Sequence, residues 1–281
     1  MSPLGVVALA GALASSVAFV RRTSRSTRVV AQTLLSLVAW GLLWFATSSA
    51  FAQRGMENLP DHMIGHVIVM FVVPMALIGA STLRSLAWCL PASWRRVVQR
   101  RYYGRSWRMP SWLAHPIVAA LVLNLVMVGA HIPRFFNASM AHRWMMEWLM
   151  EPAFLLSGLF FFHFIIPAWP RRPRSRLRLQ LLMVVITMVE MLIMAMAMSI
   201  FTKASWYTMG ATPGMAAMPG MGQSPATSFS QQQLAAAILW ICGDFWAVPC
   251  LILIVRRVMQ RDGSLLAALD RQSSRLSADA S

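Results

Sequence analysis

Charged residues are scarce in this sequence, and acidic residues are the scarcest of them. Only 12% of the 281 residues are Asp, Glu, Lys or Arg, and just nine are acidic. A soluble domain carries roughly twice that charged fraction. Together with a hydrophobic content of 58% and a mean hydropathy of +0.58, this scarcity argues against a protein folded in water. It indicates that lipid surrounds most of the chain.

Cysteines and the common catalytic motifs are also scarce. The three cysteines, Cys89, Cys242 and Cys250, lie in apolar stretches and form no Cys-x-x-Cys pair, so neither a disulfide framework nor covalent haem attachment is predicted. The sequence contains no zinc-protease His-Glu-x-x-His motif, no P-loop and no Rossmann glycine pattern. We therefore do not predict an enzyme.

Long apolar runs are what the sequence has in abundance. Seven of them approach the ~20 residues that a helix needs to cross a bilayer. We predict an all-α polytopic membrane helical bundle, with a seven-helix transmembrane domain over residues 1–261 and a polar cytoplasmic tail over 262–281. The runs cover residues 3–20, 29–51, 62–90, 114–135, 144–167, 177–201 and 232–256.

The first and third runs each leave a choice open. The first lacks the positive leader of a signal peptide and is followed by Arg21 and Arg22, so we interpret it as a retained span, with a cleaved signal as the alternative. The third run is longer than one span needs. It either tilts in the bilayer or ends before Arg84.

The distribution of basic residues orients the predicted bundle. A net charge of +16 would suggest nucleic acid as a partner of a soluble protein. Here the basic residues form short clusters between apolar runs, which is typical of a topology signal and brings them to anionic lipid headgroups. We expect membrane lipids and no nucleic acid as partners. Only Arg54, Arg134, Arg143 and Lys203 fall on the opposite side, so the positive-inside rule predicts an external N-terminus and a cytoplasmic C-terminus.

Four of the six histidines share the predicted outer face. His62 and His66 begin the third run, His131 lies near the end of the fourth, and His142 precedes the fifth. His62 and His66 are one helical turn apart, so both imidazoles project from one face of a helix. Imidazole binds copper, zinc, iron and nickel, and the soft thioethers of nearby methionines select Cu(I) over Zn(II).

These residues predict a Cu(I) site at the outer face. Its core is the histidine pair of the third run with the histidine of the fourth, and a flexible loop over 202–231 adds thioethers that capture copper. Two other interpretations stay open, because interfacial histidines often only face headgroup water and such a loop can be a simple linker. The predicted metal-binding residues are His62, His66, His131, His142, Glu147, Met63, Met215, Met218 and Met221.

Four carboxylates fall at membrane depth, where ionisable groups are costly and usually face a bundle interior or a pathway. Glu147 lies near the outer end of the fifth run, where it can ligate a metal or orient a histidine. Glu151 precedes Pro152 and can simply belong to a packed kink. Glu190 and Asp244 lie near the middle of the sixth and seventh runs.

The outer-face residues resemble a known family. The segment Asp-His-Met-Ile-Gly-His at 61–66 resembles the His-Met-x-x-His motif of the multi-span CtaG family of bacterial cytochrome c oxidase assembly factors. Ala-His-Ile-Pro at 130–133 resembles its Trp-His-x-Pro motif, and His142 with Glu147 resembles a histidine followed by a Glu-His pair. Gln-Gln-Leu at 232–234 resembles the start of its last span. The resemblance covers residues 55–258.

Three positions depart from the family pattern. Trp148 replaces the second histidine of the Glu-His pair, Gln231 stands in place of an aspartate, and Ala130 stands in place of a tryptophan. The resemblance implies copper delivery to, or maturation of, a haem–copper oxidase in the bacterial inner membrane. It also implies oxidase subunits and a periplasmic copper donor as partners.

Two other functions remain compatible with the sequence. A b-type haem or quinone-linked redox protein needs axial histidines on facing helices, which His66 and His131 can supply. A copper permease needs a polar path through the bilayer, for which Glu190, Asp244 and a methionine stripe at 191–198 are candidates.

The predicted topology is testable with reporter fusions. Fusions after residues 110, 175 and 260 should all report a cytoplasmic location, and a fusion near residue 215 should report a periplasmic one, because the basic clusters hold their loops inside. A periplasmic signal from residue 110 would overturn both the topology and the shared face of the histidines.

Overall fold

All regular structure that the chain displays is helical. The computed structural model describes residues 1–22, 26–103, 115–166, 177–207 and 228–262, and within those ranges every element is a helix. Six helical segments in them are long and apolar enough to cross a membrane, and a bent helix pair makes a seventh if it is counted as one span. The predicted all-α polytopic bundle is confirmed.

The helices follow the predicted runs in order. A 3₁₀ turn follows α6, and π-helical turns precede α5 and α11. The bounds are α1 Pro3–Val20, α2 Thr27–Ser48, α3 Ala50–Arg54, α4 Leu59–Val67, α5 Val73–Gly79, α6 Thr82–Leu86, α7 Ala92–Tyr103, α8 Pro116–His131, α9 Pro133–Ala141, α10 Arg143–Met145, α11 Glu151–Ile165, α12 Leu177–Ser199 and α13 Phe229–Asp262.

Two predicted runs are interrupted in the structure. The run over 114–135 breaks after α8, where the chain bends by 71° into α9. Pro133 causes the break, because the residue before a proline is kept out of the helical conformation, and Ile132 is accordingly extended. The run over 62–90 ends as a span at Gly79, before Arg84, and Ser81 adopts a left-handed conformation (φ 53°) ahead of α6.

Two membrane helices widen into a π-helical turn directly before a proline. Ile68–Val72 precedes Pro74, and Met146–Met150 precedes Pro152. A proline has no N–H to donate to the carbonyl four residues earlier, and its ring crowds that carbonyl. A π turn accommodates the mismatch locally, so the span continues as a helix past the proline.

The carbonyl of Met70, four residues before Pro74, faces Gly158 of α11. A Cβ built on Gly158 would collide with the Met70 carbonyl oxygen and lie 2.7 Å from Cγ of Pro74. Only a glycine therefore lets α11 approach the α4–α5 span so closely. This contact brings the two helices that carry His66 and Glu151 together.

Small and hydroxyl-bearing residues join α1 to α2. Gly11 lies flat against the Trp40 ring, where a Cβ would come within 2.5 Å of a ring carbon. Trp40 Nε1 donates to Ser15 Oγ at 3.2 Å, and Ser15 Oγ lies 3.2 Å from Ser36 Oγ. In lipid, such close backbone approach and interhelical hydrogen bonds hold helices together, because apolar side chains gain little by leaving a hydrocarbon solvent.

The two ends of the bundle differ in chemistry. At one end, which we call the histidine end, Ser2 and Ser48 place their hydroxyls 3.1 Å apart and Gln232 Nε2 donates to the Met198 carbonyl at 2.8 Å. His131, the last residue of α8, lies at this end as well.

The opposite end, which we call the arginine end, is closed by guanidinium groups. Arg257 donates to the Ile165 carbonyl at 2.6 Å and to Gln180 Oε1 at 3.2 Å, while Arg22 donates to Ser85 Oγ at 2.8 Å. The positive-inside rule predicts that this end faces the cytoplasm.

The glycine contact generates a stability prediction. Gly158→Ala should lower the free energy of unfolding by about 1–3 kcal/mol, the usual cost of overpacking, because the new methyl group meets backbone rather than a movable side chain. The measurement is thermal unfolding of the purified protein in detergent. Gly41→Ala is the matched control, since a Cβ there has nothing within 4 Å. Equal stability of the two variants would contradict the contact.

Candidate metal-binding site

Three of the predicted histidines meet inside the histidine end of the bundle. His62 and His66 come from α4 and His131 from the end of α8, and each is buried, with 6%, 7% and 3% of its surface exposed. The ring centroids of His62 and His66 are 4.2 Å apart, and those of His66 and His131 are 6.2 Å apart. The rings therefore turn away from lipid and toward one another.

Backbone carbonyls orient two of the three rings. Nδ1 of His62 lies 3.1 Å from the Gly55 carbonyl, and Nδ1 of His131 lies 2.7 Å from the Met127 carbonyl. A carbonyl only accepts, so each Nδ1 carries the hydrogen and the Nε2 of each neutral ring carries a lone pair. This arrangement is the one that metal-ligating histidines typically show, with one nitrogen held by a backbone oxygen and the other free for the ion.

Two of the ring nitrogens lack protein partners. Nε2 of His62 and Nε2 of His66 are buried and have no hydrogen-bond partner among the described residues. Buried polar atoms are nearly always satisfied in folded proteins, and an unsatisfied one calls for a specific explanation such as an ion or a water. Two of them on adjacent rings indicate a place for a ligand.

A thioether completes the cluster. Sδ of Met63 lies 3.3 Å from Nε2 of His131, and Met63 is fully buried. Because the hydrogen of His131 is on Nδ1, no hydrogen lies between the nitrogen and the sulfur. A nitrogen and a sulfur that bind the same metal ion lie at a similar distance from each other. With the bond lengths of zinc, about 2.0–2.1 Å to nitrogen and about 2.3 Å to sulfur, the two ligand atoms are roughly 3.5 Å apart.

Aromatic side chains surround the histidine–methionine cluster. Phe136 meets the His62 ring edge-on at 5.2 Å, and Phe154 meets the His66 ring at 4.5 Å. Tyr207 packs on Phe136 at 4.3 Å and donates its hydroxyl to the His131 carbonyl at 3.0 Å. Burial raises the pKa of Tyr207, which keeps the hydroxyl protonated as a donor. Sequence reasoning missed Tyr207, because a single tyrosine after an apolar run carries no distinctive signal.

A cavity of about 370 Å³ reaches the cluster from the histidine end. His62 and His66 line it on one side, and Met146, Glu147 and Glu151 line it on the other. It offers thioether and carboxylate groups next to the two unpartnered imidazole nitrogens.

The two carboxylates of this cavity have different surroundings. Glu147 pairs with Arg143 at 2.6 Å and is partly exposed, so its charge is already balanced. Oε2 of Glu151 is buried without a hydrogen-bond partner in the described part of the chain. From the sequence, Glu151 is either a functional carboxylate at membrane depth or part of a packed kink before Pro152. Its spacing of one helical turn from Glu147 predicts that the two share one helix face.

The remaining predicted residues lie apart from the cluster. His142 is exposed between α9 and α10. Glu190 lines a separate groove on the bundle surface. Met215, Met218 and Met221 lie outside the described residues, as does the side chain of Asp244. Within the described ranges, no three His, Cys, Asp or Glu side chains form a metal-binding group, so the arrangement depends on the methionine as well as on the histidines.

Comparison with known proteins decides the family. A family model described as cytochrome c oxidase caa3 assembly factor (Caa3_CtaG) matches residues 9–261, nearly the whole chain. The chain belongs to the CtaG family. The resemblance stated from the sequence is thereby confirmed. Neither the curated proteins nor the solved structures contain a significant match.

Membership in CtaG establishes a role in cytochrome c oxidase assembly. The matched region includes every residue of the histidine–methionine cluster and all of the adjoining cavity lining except Met1 and Ser2. Membership in a family of assembly factors suggests a non-catalytic role.

The Tyr207 contact can be tested by removing one atom. Tyr207→Phe keeps the ring packing on Phe136 but leaves the buried His131 carbonyl without its side-chain donor, which should cost about 1–3 kcal/mol. The measurement is the free energy of unfolding in detergent. Thr202→Val is the control, since it removes an exposed hydroxyl contact with Ala204 and should cost much less. An unaltered stability of Tyr207→Phe would show that this contact does not hold the end of α8.

Proposed function

We propose that this CtaG-family protein carries Cu(I) as cargo on His62, His66, His131 and Met63 and passes it on during maturation of a haem–copper oxidase. The observation that supports the proposal is the pair of buried Nε2 atoms without partners beside a nitrogen–sulfur pair 3.3 Å apart. The carbonyl contacts of Nδ1 leave a lone pair on Nε2 of His62 and His131, and Nε2 of His66 lies beside them without a protein partner.

The donor set favours Cu(I) over divalent ions. Neutral imidazoles and a thioether are soft ligands that suit Cu(I). The desolvation cost of an ion rises with the square of its charge, so a monovalent ion enters an apolar pocket far more cheaply than a divalent one. Phe136 and Phe154 pack edge-on against the His62 and His66 rings and make this side of the pocket apolar.

The cavity supplies a route to the cluster. It leads from the histidine end past Met146 and Glu151 to His62 and His66. A thioether and carboxylates can pass an ion inward by exchange of one ligand at a time. The positive-inside rule directs this end toward the periplasm, where a copper donor meets it. Met215, Met218 and Met221 would act as additional soft ligands on the same side of the membrane.

Copper binding by purified variants tests this proposal. Under reducing conditions the protein should bind Cu(I). His66→Ala or Met63→Leu should lower the Cu(I) affinity by at least about 10- to 100-fold, because substitution of residues that only support the metal ligands already causes a loss of that size. Met63→Leu keeps the packing volume while removing the sulfur. His163→Ala, in α11 outside the cavity lining, is the matched control and should bind as the unaltered protein does.

The same variants have a cellular readout. With His66→Ala the oxidase polypeptide should still be made but should contain less copper, and added copper should partly restore oxidase activity, because mass action offsets a weakened site. Unaltered copper affinity together with unaltered oxidase activity in His66→Ala would contradict the proposal. A Soret band in the purified protein would favour the b-type haem alternative instead.

A further inference from the structure

A second unsatisfied polar group lies far from the histidine–methionine cluster, in the middle of α12. Both carboxyl oxygens of Glu190 are buried, and neither has a hydrogen-bond partner among the residues that the structure describes. Glu190 is about 20 Å along the helix axis from Leu177 and about 14 Å from Ser199, at 1.5 Å per residue. It therefore lies near mid-membrane depth, where an unpaired carboxyl is most costly.

Glu190 lines an apolar groove between α8 and α12. The groove has a volume of about 500 Å³, and its wall includes Val128, Val185, Val189, Ile193 and Ala197. Val185, Val189 and Ile193 are about half exposed, at 50%, 48% and 60%, so the groove opens on the outside of the bundle. Glu190 is its one ionisable residue.

The shape of the groove favours a helix as its occupant. Its wall runs along α12 from Val185 to Ala197, which is about 18 Å or a little over three turns. A phospholipid headgroup resides in the interface, about 15 Å from the centre of the hydrocarbon, and acyl chains have no hydrogen-bond donor. A transmembrane helix can bring a polar side chain to mid-depth, where interhelical hydrogen bonds form.

From this complementarity we propose that the α8–α12 groove docks a transmembrane helix of an oxidase subunit, and that the Glu190 side chain rotates its buried carboxyl toward the groove to accept a hydrogen bond from a donor side chain on that helix. The donor belongs to the class of Ser, Thr, Asn, Gln, His or a basic residue. The proposal rests on membership in the oxidase assembly family and on the groove. It does not depend on copper binding, because the groove and the cavity share no residue.

Site-specific photo-crosslinking in native membranes tests the docking. The full chain, with benzoylphenylalanine replacing Ile193, is expressed together with the oxidase subunits. An oxidase subunit should crosslink to this position. Leu34 is the control position and should give no such crosslink, because it is 58% exposed on α2, a helix that packs against α1 and α5. Glu190→Leu should lower the crosslink yield roughly three- to tenfold, as expected for the loss of one interhelical hydrogen bond, while Glu190→Gln should retain most of it.

Two further variants separate the possible outcomes. Val189→Trp fills the groove, leaves the Glu190 carboxyl in place and should also reduce the crosslink yield. This variant tests the docking if Glu190→Leu fails to insert into the membrane. His66→Ala should leave the yield unchanged, so failure of copper handling is distinguishable from failure of docking. The proposal would be overturned if Ile193 crosslinked only to lipid, to a quinone or to a second copy of this chain. It would also be overturned if neither Glu190→Leu nor Val189→Trp changed the crosslink yield.

Discussion

The hydrocarbon interior of a bilayer offers no water to backbone N–H and C=O groups, so each of them must find a partner within the protein. The rest of this structure depends on that constraint. Every described element is helical, and the interruptions within helices are small. At Pro74 and Pro152 the helix widens into a π turn and continues, and the Met70 carbonyl is covered by Gly158 of the neighbouring helix.

The same constraint makes the exceptions informative. A polar side-chain atom buried in such a bundle without a partner is costly. Among the described residues five of the eight such atoms lie at two places, and the other three belong to Arg22, Asn124 and Thr187. One of the two places is the histidine end, with Nε2 of His62 and His66 and Oε2 of Glu151 around one cavity. The other is Glu190 in its apolar groove. In the functions proposed above, the first place would take a soft cation and the second a hydrogen-bond donor on a helix.

Separate placement of the two features suits an assembly factor. The cavity opens at the histidine end, where an ion can arrive from water. The groove faces the lipid at mid-depth, where a membrane-embedded client can approach sideways. A protein that holds its client through one surface and handles a cargo ion at another can release either without disturbing the other. The α8 helix links them, since it contributes Val128 to the groove and His131 to the cluster.

Periodicity and hydropathy in the sequence determined the helical fold, the order of the apolar helices, and the shared face of His62 and His66, because these depend on local spacing and on the solvent. Sequence motifs also identified the family, which the match over residues 9–261 confirms. The spacing of Glu147 and Glu151 predicts that both lie on one face of a helix. It does not predict which of the two carboxylates forms an ion pair.

Only the tertiary structure decided which candidate residues meet. The bend at Pro133 separates α8 from α9 and ends α8 at His131, close to Met63. Tyr207 bonds the His131 carbonyl from a position 76 residues away in sequence, and Glu190 faces a surface groove instead of the cavity. These contacts arise from the rotation and crossing of packed helices, which local spacing does not specify.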